Sequence, residues 1–513
     1  MPPRASAPWL YLILIVLGGV ALRLVFFAGY VGTDDQYYIL AAYRISAGDL
    51  GAFTSRWAVR SATVMPTALF FRMLGVSPAT AALWPLLCSV CETIVTFLLG
   101  RRLFDTRVGL LAACLLAIFP LDVIFSSELF ACVPTGMLCG FGLYFFVRDG
   151  AAQRPLSLFC SGVAFGLAAL AGDTALFCLL PVGIFFIFYA RRRRAYIGFA
   201  TGLILVVGAE CVLYALLAGD PWRRWHILSA AIAVQGEDAL SSGLGFAYLT
   251  QPFLRLLSEQ EFGLFPYLLV PAIIFHLRRR SGRAGRFLVV WVAVIFLYTA
   301  YGTVSPFRFA PLPRLPRYSA PMTVAVMVLL ASYLISLRAA PRTLMLVLLL
   351  VTSLAGVVID NGRARRAIYR DLRQWITTQP QQRVVVESGE VFDVLFYGGF
   401  QPLPNLGAWA RTDAEASYLQ NGPPLFASLP RYRSPEKMRG ALVAVDSAAG
   451  REGMARFGHA EPLTVFQPPD RLYYRLLRNP LFLRVLAVTR DNYRMQGLEA
   501  LPREHIEVYR IPG

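Results

Sequence analysis

Residues 9–38 read WLYLILIVLGGVALRLVFFAGYVGTDDQYY. The first part is an apolar run of membrane length, since a transmembrane helix needs ~20 mostly apolar residues. Its one charge is Arg23, near the far end. The run leads into Gly32-Thr33-Asp34-Asp35-Gln36-Tyr37-Tyr38, so two adjacent carboxylates stand at a membrane surface. Only Arg4 precedes the run and no small-x-small cleavage site follows it, so it reads as a retained span rather than a removed signal peptide.

The rest of the chain agrees. Of 513 residues, 57% are apolar and only 16% are charged, which excludes an ordinary soluble domain. The net charge is +18, carried almost wholly by arginine, because Lys437 is the only lysine. Nucleic acid is not the implied partner. The arginines sit in short clusters between apolar segments, as loops at a bilayer surface do. All eight cysteines, from Cys88 to Cys211, fall inside apolar segments and read as packing residues, the Cys88-x-x-Cys91 pair included. The four histidines show no metal spacing.

Eleven spans are expected, at about 9–27, 79–100, 107–125, 128–147, 156–172, 174–190, 196–218, 263–277, 287–304, 318–337 and 343–359. With Arg4 inside, the clusters at Arg101/Arg102/Arg107, Arg148/Arg154, Arg191 to Arg194, Arg278 to Arg286 and Arg338/Arg342 all fall on the cytoplasmic side. Counting 156–190 as one span would put the later clusters outside. Residues 1–360 are thus expected to form the membrane module, with outer loops at 28–78 and 219–262. Pro221-Trp222-Arg223-Arg224-Trp225 and Tyr248 suit an interfacial helix in the second loop. Residues 361–513 are expected outside as a small α/β domain, with helical text at Arg363–Gln379 and β-rich runs at Arg383–Glu387, Ala441–Asp446, Leu463–Gln467 and Val485–Thr489. No internal repeat is visible.

Three groups of residues could carry chemistry. Asp34 and Asp35 could supply a partly desolvated carboxylate as a base, or merely cap a helix. Asp122 and Glu128 end the third and fourth spans, where acids are rare and often functional; they could hold a metal ion or position an acceptor, or simply mark helix ends. Arg308, Arg314 and Arg317 lie in a late outer loop, and Arg56 and Arg60 in the first one, against the charge rule. Guanidinium forks suit phosphate, so a lipid-linked phosphate is the natural ligand, with anionic lipid head groups as the plainer alternative. Arg23 would pair with an acid or with that phosphate.

Taken in order, these residues resemble the GT-C glycosyltransferases, above all the protein O-mannosyltransferases and bacterial aminoarabinose transferases. The likeness runs through Arg23, Asp34-Asp35-x-x-Tyr38, Ala42, Gly48, Pro66, Leu69-Phe70, Leu74-Gly75, Pro120, Ser126-Ser127-Glu128 and Arg317-Tyr318 with Pro321. It covers roughly residues 10–360, and order and membrane side carry it rather than any one motif. Two departures stand out. Asp173 occupies the start of the sixth span, where the family often has a basic residue, and the C-terminal region shows no placeable motif.

The resemblance implies an α-helical integral membrane protein of GT-C type with a C-terminal extracytoplasmic α/β domain, in a bacterial cytoplasmic membrane. It implies an inverting transfer of sugar from a polyprenyl-phosphate donor to a hydroxyl of a glycan, lipid or protein. Asp34 would be the base. Arg317 and Tyr318, with Arg23 and Arg56, would meet the donor phosphate. Asp35, Glu128, Asp122 and Tyr38 would place the acceptor or a divalent cation, Mg or Mn, should one be used; no cofactor is certain. A transporter or flippase of lipid-linked sugars would instead show repeats and mid-membrane polar residues. A polysaccharide polymerase or ligase would rely on a large late loop rather than an early acid pair.

Overall fold

The computed structural model describes residues 7–148, 154–189, 193–230, 246–278, 283–303, 312, 315–361, 368–413, 415–416, 424–446, 451, 454, 462–467 and 505–511. Its chain contacts divide it into two compact units, and each is taken by itself. The first comprises Met1–Ala28, Tyr37–Ala68 and Ala82–Asn361; the second comprises Gly29–Gln36, Leu69–Ala81 and Gly362–Gly513.

The first unit is a helical bundle. Among the described residues, six helices are long and apolar enough to cross a membrane: Pro8–Val25, Pro78–Leu103, Tyr196–Ala218, Arg283–Tyr301, Pro316–Ser336 and Ala339–Val358. Five shorter apolar helices, Thr106–Ala117, Cys132–Arg148, Pro155–Ala171, Asp173–Phe188 and Phe265–Arg278, stand at the other five expected spans. The chain breaks at Gly172, where extended backbone ends one helix before Asp173 opens the next. The 156–190 stretch is therefore two segments.

Burial separates the helices by role. Thr323–Ser336 is buried from Val324 to Ala331 and forms the centre of the bundle with Leu288, Trp291 and Ile295. The first helix instead exposes Leu10, Ile13, Leu14 and Leu17, and Tyr196–Ala218 exposes Ile197, Ile204, Leu205 and Leu216. Outward apolar rows on several helices need a lipid solvent, and the chain is a membrane protein. The helices Pro155–Ala171 and Tyr196–Ala218 touch backbone to backbone. A Cβ added at Gly162 would stand 2.0 Å from the Phe199 carbonyl oxygen, so only glycine permits this approach. Phe246–Ser258 is the amphipathic helix of the second long loop, and it leaves Leu249, Phe253, Leu254 and Leu257 exposed. Residues 231–245 before it lie outside the described residues.

Among the described residues, the second unit holds a six-stranded sheet. Its strands are β1 (Val384–Glu387), β2 (Leu406–Trp409), β3 (Arg431–Tyr432), β4 (Leu442–Val445), β5 (Thr464–Phe466) and β6 (Ile506–Arg510), in the order β3-β2-β1-β4-β6-β5. The first four are parallel, and β6 joins β4 antiparallel. β1, β2 and β4 are buried along their whole length, the mark of parallel strands covered on both faces. The expected runs at 383–387, 441–446 and 463–467 are strands; the run at 485–489 lies outside the described residues. β2, β3 and β6 were not expected. The expected helix is observed as Ile368–Thr377. The short segment Gly29–Gln36 folds with this unit because Tyr30 is buried among Phe392, Phe396 and Tyr397, and its hydroxyl donates to Asp393.

Candidate active site

The acid pair opens the helix Asp34–Ser46, and the turn before it decides what each acid does. Gly32 has φ 79°, a left-handed turn that glycine allows. That turn folds the backbone around Asp35. Its Oδ2 accepts from the amides of Val31 at 2.7 Å and Gly32 at 3.4 Å, and its Oδ1 from those of Thr33 at 2.6 Å and Gln36 at 3.0 Å. Asp35 is fully buried. Burial pushes its carboxyl up from the ordinary value, while the four amide donors pull the other way. The capping role expected of the pair thus falls to Asp35. Asp34 is half-buried, and the turn's amides do not converge on it.

Within the first unit, Tyr38 is buried and its hydroxyl accepts from Arg60 Nη1. Arg60 Nη2 reaches Asp173 Oδ2 at 3.4 Å. Burial works against the Arg60 charge, but Tyr38, Asp173 and Tyr318 more than offset it and raise the pKa above its ordinary value. The Tyr38 ring lies 6.5 Å from that of Phe130, and the Arg317 guanidinium stands 5.2 Å over the Phe130 ring. Glu128 is buried. One aromatic cluster around Phe130 therefore gathers Tyr38, Arg60 and Arg317, with Tyr318 near enough to Arg60 to favour its charge. Arg56 instead lies 4.3 Å over the Trp57 ring, which stacks on Tyr37 at 4.1 Å. Arg308 and Arg314 lie outside the described residues.

An open pocket adjoins Tyr318. Phe262, Phe296, Leu256 and Met322 give it apolar walls, and Arg255 and Glu259 give it charge. Arg255 was not singled out from sequence, since it sits in an amphipathic helix whose basic residue reads as a surface charge.

Two of the expected site residues meet each other. Arg23 and Asp122 are paired with each other, each 3% exposed, deep in the bundle. Ser89 Oγ adds a bond to Asp122 at 2.6 Å, and Arg23 Nη1 donates to the carbonyls of Gly19 at 2.8 Å and Ala117 at 3.1 Å. Arg23 thus meets an acid, one of the two partners expected for it, and that acid is Asp122. The physical reason is that neither charge can stay alone in an apolar interior. Glu92, also buried and electrostatically linked to Asp122 and Arg23, was missed, although a lone acid inside an apolar span was a usable signal.

The fit to a divalent ion is poor. The Asp35 oxygens hold four amides, Asp122 holds Arg23, and no group of three or more His, Cys, Asp or Glu able to hold a metal is found among the described residues.

Comparison with known proteins fits this arrangement. Residues 65–233, less than half of the chain, match the family described as dolichyl-phosphate-mannose-protein mannosyltransferase. ArnT from Cupriavidus metallidurans, solved bound to undecaprenyl phosphate, superposes with a TM-score of 0.62 at 14% identity, covering 91% of this chain and 97% of that one. The fold is GT-C. The apo form of the same ArnT gives a TM-score of 0.56 at 15% identity, over 88% of this chain and 95% of that one. The GT-C fold is shared more distantly with the archaeal oligosaccharyltransferase AglB from Archaeoglobus fulgidus, solved with an inhibitory peptide and a dolichol-phosphate, at a TM-score of 0.50 and 12% identity over 87% of this chain and 70% of that one. No curated protein matches the chain in sequence.

Proposed function

We propose that the protein is an inverting membrane glycosyltransferase. It moves a sugar from a polyprenyl-phosphate donor to an acceptor hydroxyl on the outer face of a bacterial cytoplasmic membrane. The observation that carries this reading is the pairing of Arg60 with Tyr38, one helical turn after Asp34, and of Arg317 with Phe130 beside them. Two guanidinium groups among aromatic rings suit a phosphate ester at the end of an apolar chain. The likeness to a fold solved with undecaprenyl phosphate in one case and a dolichol-phosphate in another supports the same substrate class.

The chemistry follows from the atoms. The acceptor oxygen attacks the anomeric carbon as its proton passes to the Asp34 carboxylate. The bond from that carbon to the phosphate oxygen breaks, and the lipid phosphate leaves with the bonding pair. Arg60 and Arg317 meet its charge, and Tyr318 supplies a hydroxyl. Asp35 keeps the turn that presents Asp34. Glu128 orients the acceptor. The pocket beside Tyr318, with Arg255 in its wall, takes the start of the lipid. Residues 1–360 act as the catalytic membrane module, and residues 361–513 stand on the extracytoplasmic side.

The test is transfer by purified protein from a panel of radiolabelled polyprenyl-phosphate sugars to envelope extract, with the product's anomeric configuration read by NMR. Transfer with inversion supports the proposal. Retention of configuration overturns the single displacement. Absence of transfer together with lipid-linked sugar crossing vesicles that contain the protein would make it a transporter.

A further inference from the structure

Four charged side chains meet beside the aromatic cluster: Arg60, Asp173, Arg224 and Glu210. Arg224 is fixed by many bonds. Its Nη1 donates to the Val59 carbonyl at 2.8 Å and to Glu210 at 3.3 Å; its Nη2 donates to the Ala169 carbonyl at 2.5 Å and to Asp173 Oδ1 at 2.7 Å. Glu210 is held in turn by Ser61 Oγ at 2.9 Å. Asp173 is thereby clamped, with Oδ1 on Arg224 and Oδ2 turned to Arg60 at 3.4 Å. Arg60 is the least constrained member. Its hydrogen bonds run to Tyr38 and Asp173, and its Nε is buried with no hydrogen-bond partner among the described residues.

The lengths decide the roles. Asp173 sits 2.7 Å from Arg224 and 3.4 Å from Arg60, so most of its charge is answered by Arg224. A carboxylate facing Arg60 alone would close on it and cancel the charge that a phosphate needs. With Arg224 present, the carboxylate directs the guanidinium without neutralising it. Two cations and two carboxylates leave the group balanced, which is how such a cluster persists in a half-buried place.

We propose that Asp173 is a positioning residue that aims Arg60 at the donor phosphate, with Arg224 as its counter-charge. This rests on the reading of Arg60 as a phosphate contact. It makes a counter-intuitive forecast. Removing a negative charge near an anion site should tighten anion binding if Asp173 is a bystander. It should weaken binding if Asp173 aims Arg60.

The experiment measures binding of undecaprenyl phosphate to the full-length protein in detergent. Asp173→Asn is expected to bind about tenfold more weakly than wild type, the size of one charge-assisted hydrogen bond. Asp173→Glu, which keeps the charge but moves it, is expected to weaken binding too and carries the test should the asparagine variant not fold. In an Arg60→Ala background, Asp173→Asn should add nothing further. Equal or tighter binding by Asp173→Asn overturns the proposal, and so does a full additional loss in the Arg60→Ala background, which would mean a general structural effect. Wild-type binding by Arg60→Ala alone would instead remove Arg60 from the phosphate site, and the proposal with it.

Discussion

Replacing Asp35 by asparagine separates the structural carboxylate from the chemical one. Each oxygen of Asp35 faces two backbone N–H groups, and the amide of asparagine must put an NH₂ on one side or the other. The cheaper orientation places it toward Val31 and Gly32, because the Gly32 contact is already long at 3.4 Å while the other side holds Thr33 at 2.6 Å and Gln36 at 3.0 Å. That leaves the Val31 N–H without an acceptor in a buried turn. One hydrogen bond to a charged acceptor contributes ~1.5–3 kcal/mol, and the return of the buried charge's desolvation offsets part of it, so a net loss of about 2 kcal/mol is expected. Thermal unfolding of the detergent-purified protein, followed by intrinsic fluorescence, should show a lower midpoint for Asp35→Asn and an unchanged midpoint for Asp34→Asn. A wild-type midpoint for Asp35→Asn would refute the division of labour, as would equal destabilisation by the two variants.

Breaking the Arg23–Asp122 pair by Arg23→Met or Asp122→Asn should cost ~3–5 kcal/mol, since each leaves a buried partner uncompensated, with a lower unfolding midpoint as the measure. The double replacement Arg23→Met/Asp122→Asn should recover part of that loss. Arg317→Ala should lower kcat by ~10²–10³ if it meets the leaving phosphate, while Arg317→Lys should recover only part because the fork is lost; steady-state kinetics decide. Gly162→Val should unfold at a clearly lower temperature, because its side chain has no room against the Phe199 carbonyl.

Much of this was legible in the chain. Apolar length marked the positions of the spans, and arginine alternation required Gly172-Asp173 to break the 156–190 stretch into two. The same reading gave Arg23 an acid or a phosphate as partner but could not name the acid, because sequence shows that a charge lies at membrane depth and not that two such charges, 99 positions apart, answer each other. It left Asp34 and Asp35 undivided, since the convergence of four amides on Asp35 depends on the turn that the φ of Gly32 makes. Asp173 looked like a departure from a pattern; its meaning lies in Arg224, which reaches it from 51 positions away. β2 and β3 were missed for a different reason. β2 reads Leu406-Gly407-Ala408-Trp409, with none of the valines that mark β1 and β4, and β3 is only two residues long.

The central claim is that Asp34 is the base for sugar transfer. It is tested most directly by comparing wild type with Asp34→Asn in transfer from a polyprenyl-phosphate sugar at saturating donor. Loss of a general base removes ~10²–10⁴ of rate, so the account predicts a drop of about 10³ with the unfolding midpoint and donor binding unchanged. Transfer by Asp34→Asn at the wild-type rate would contradict it.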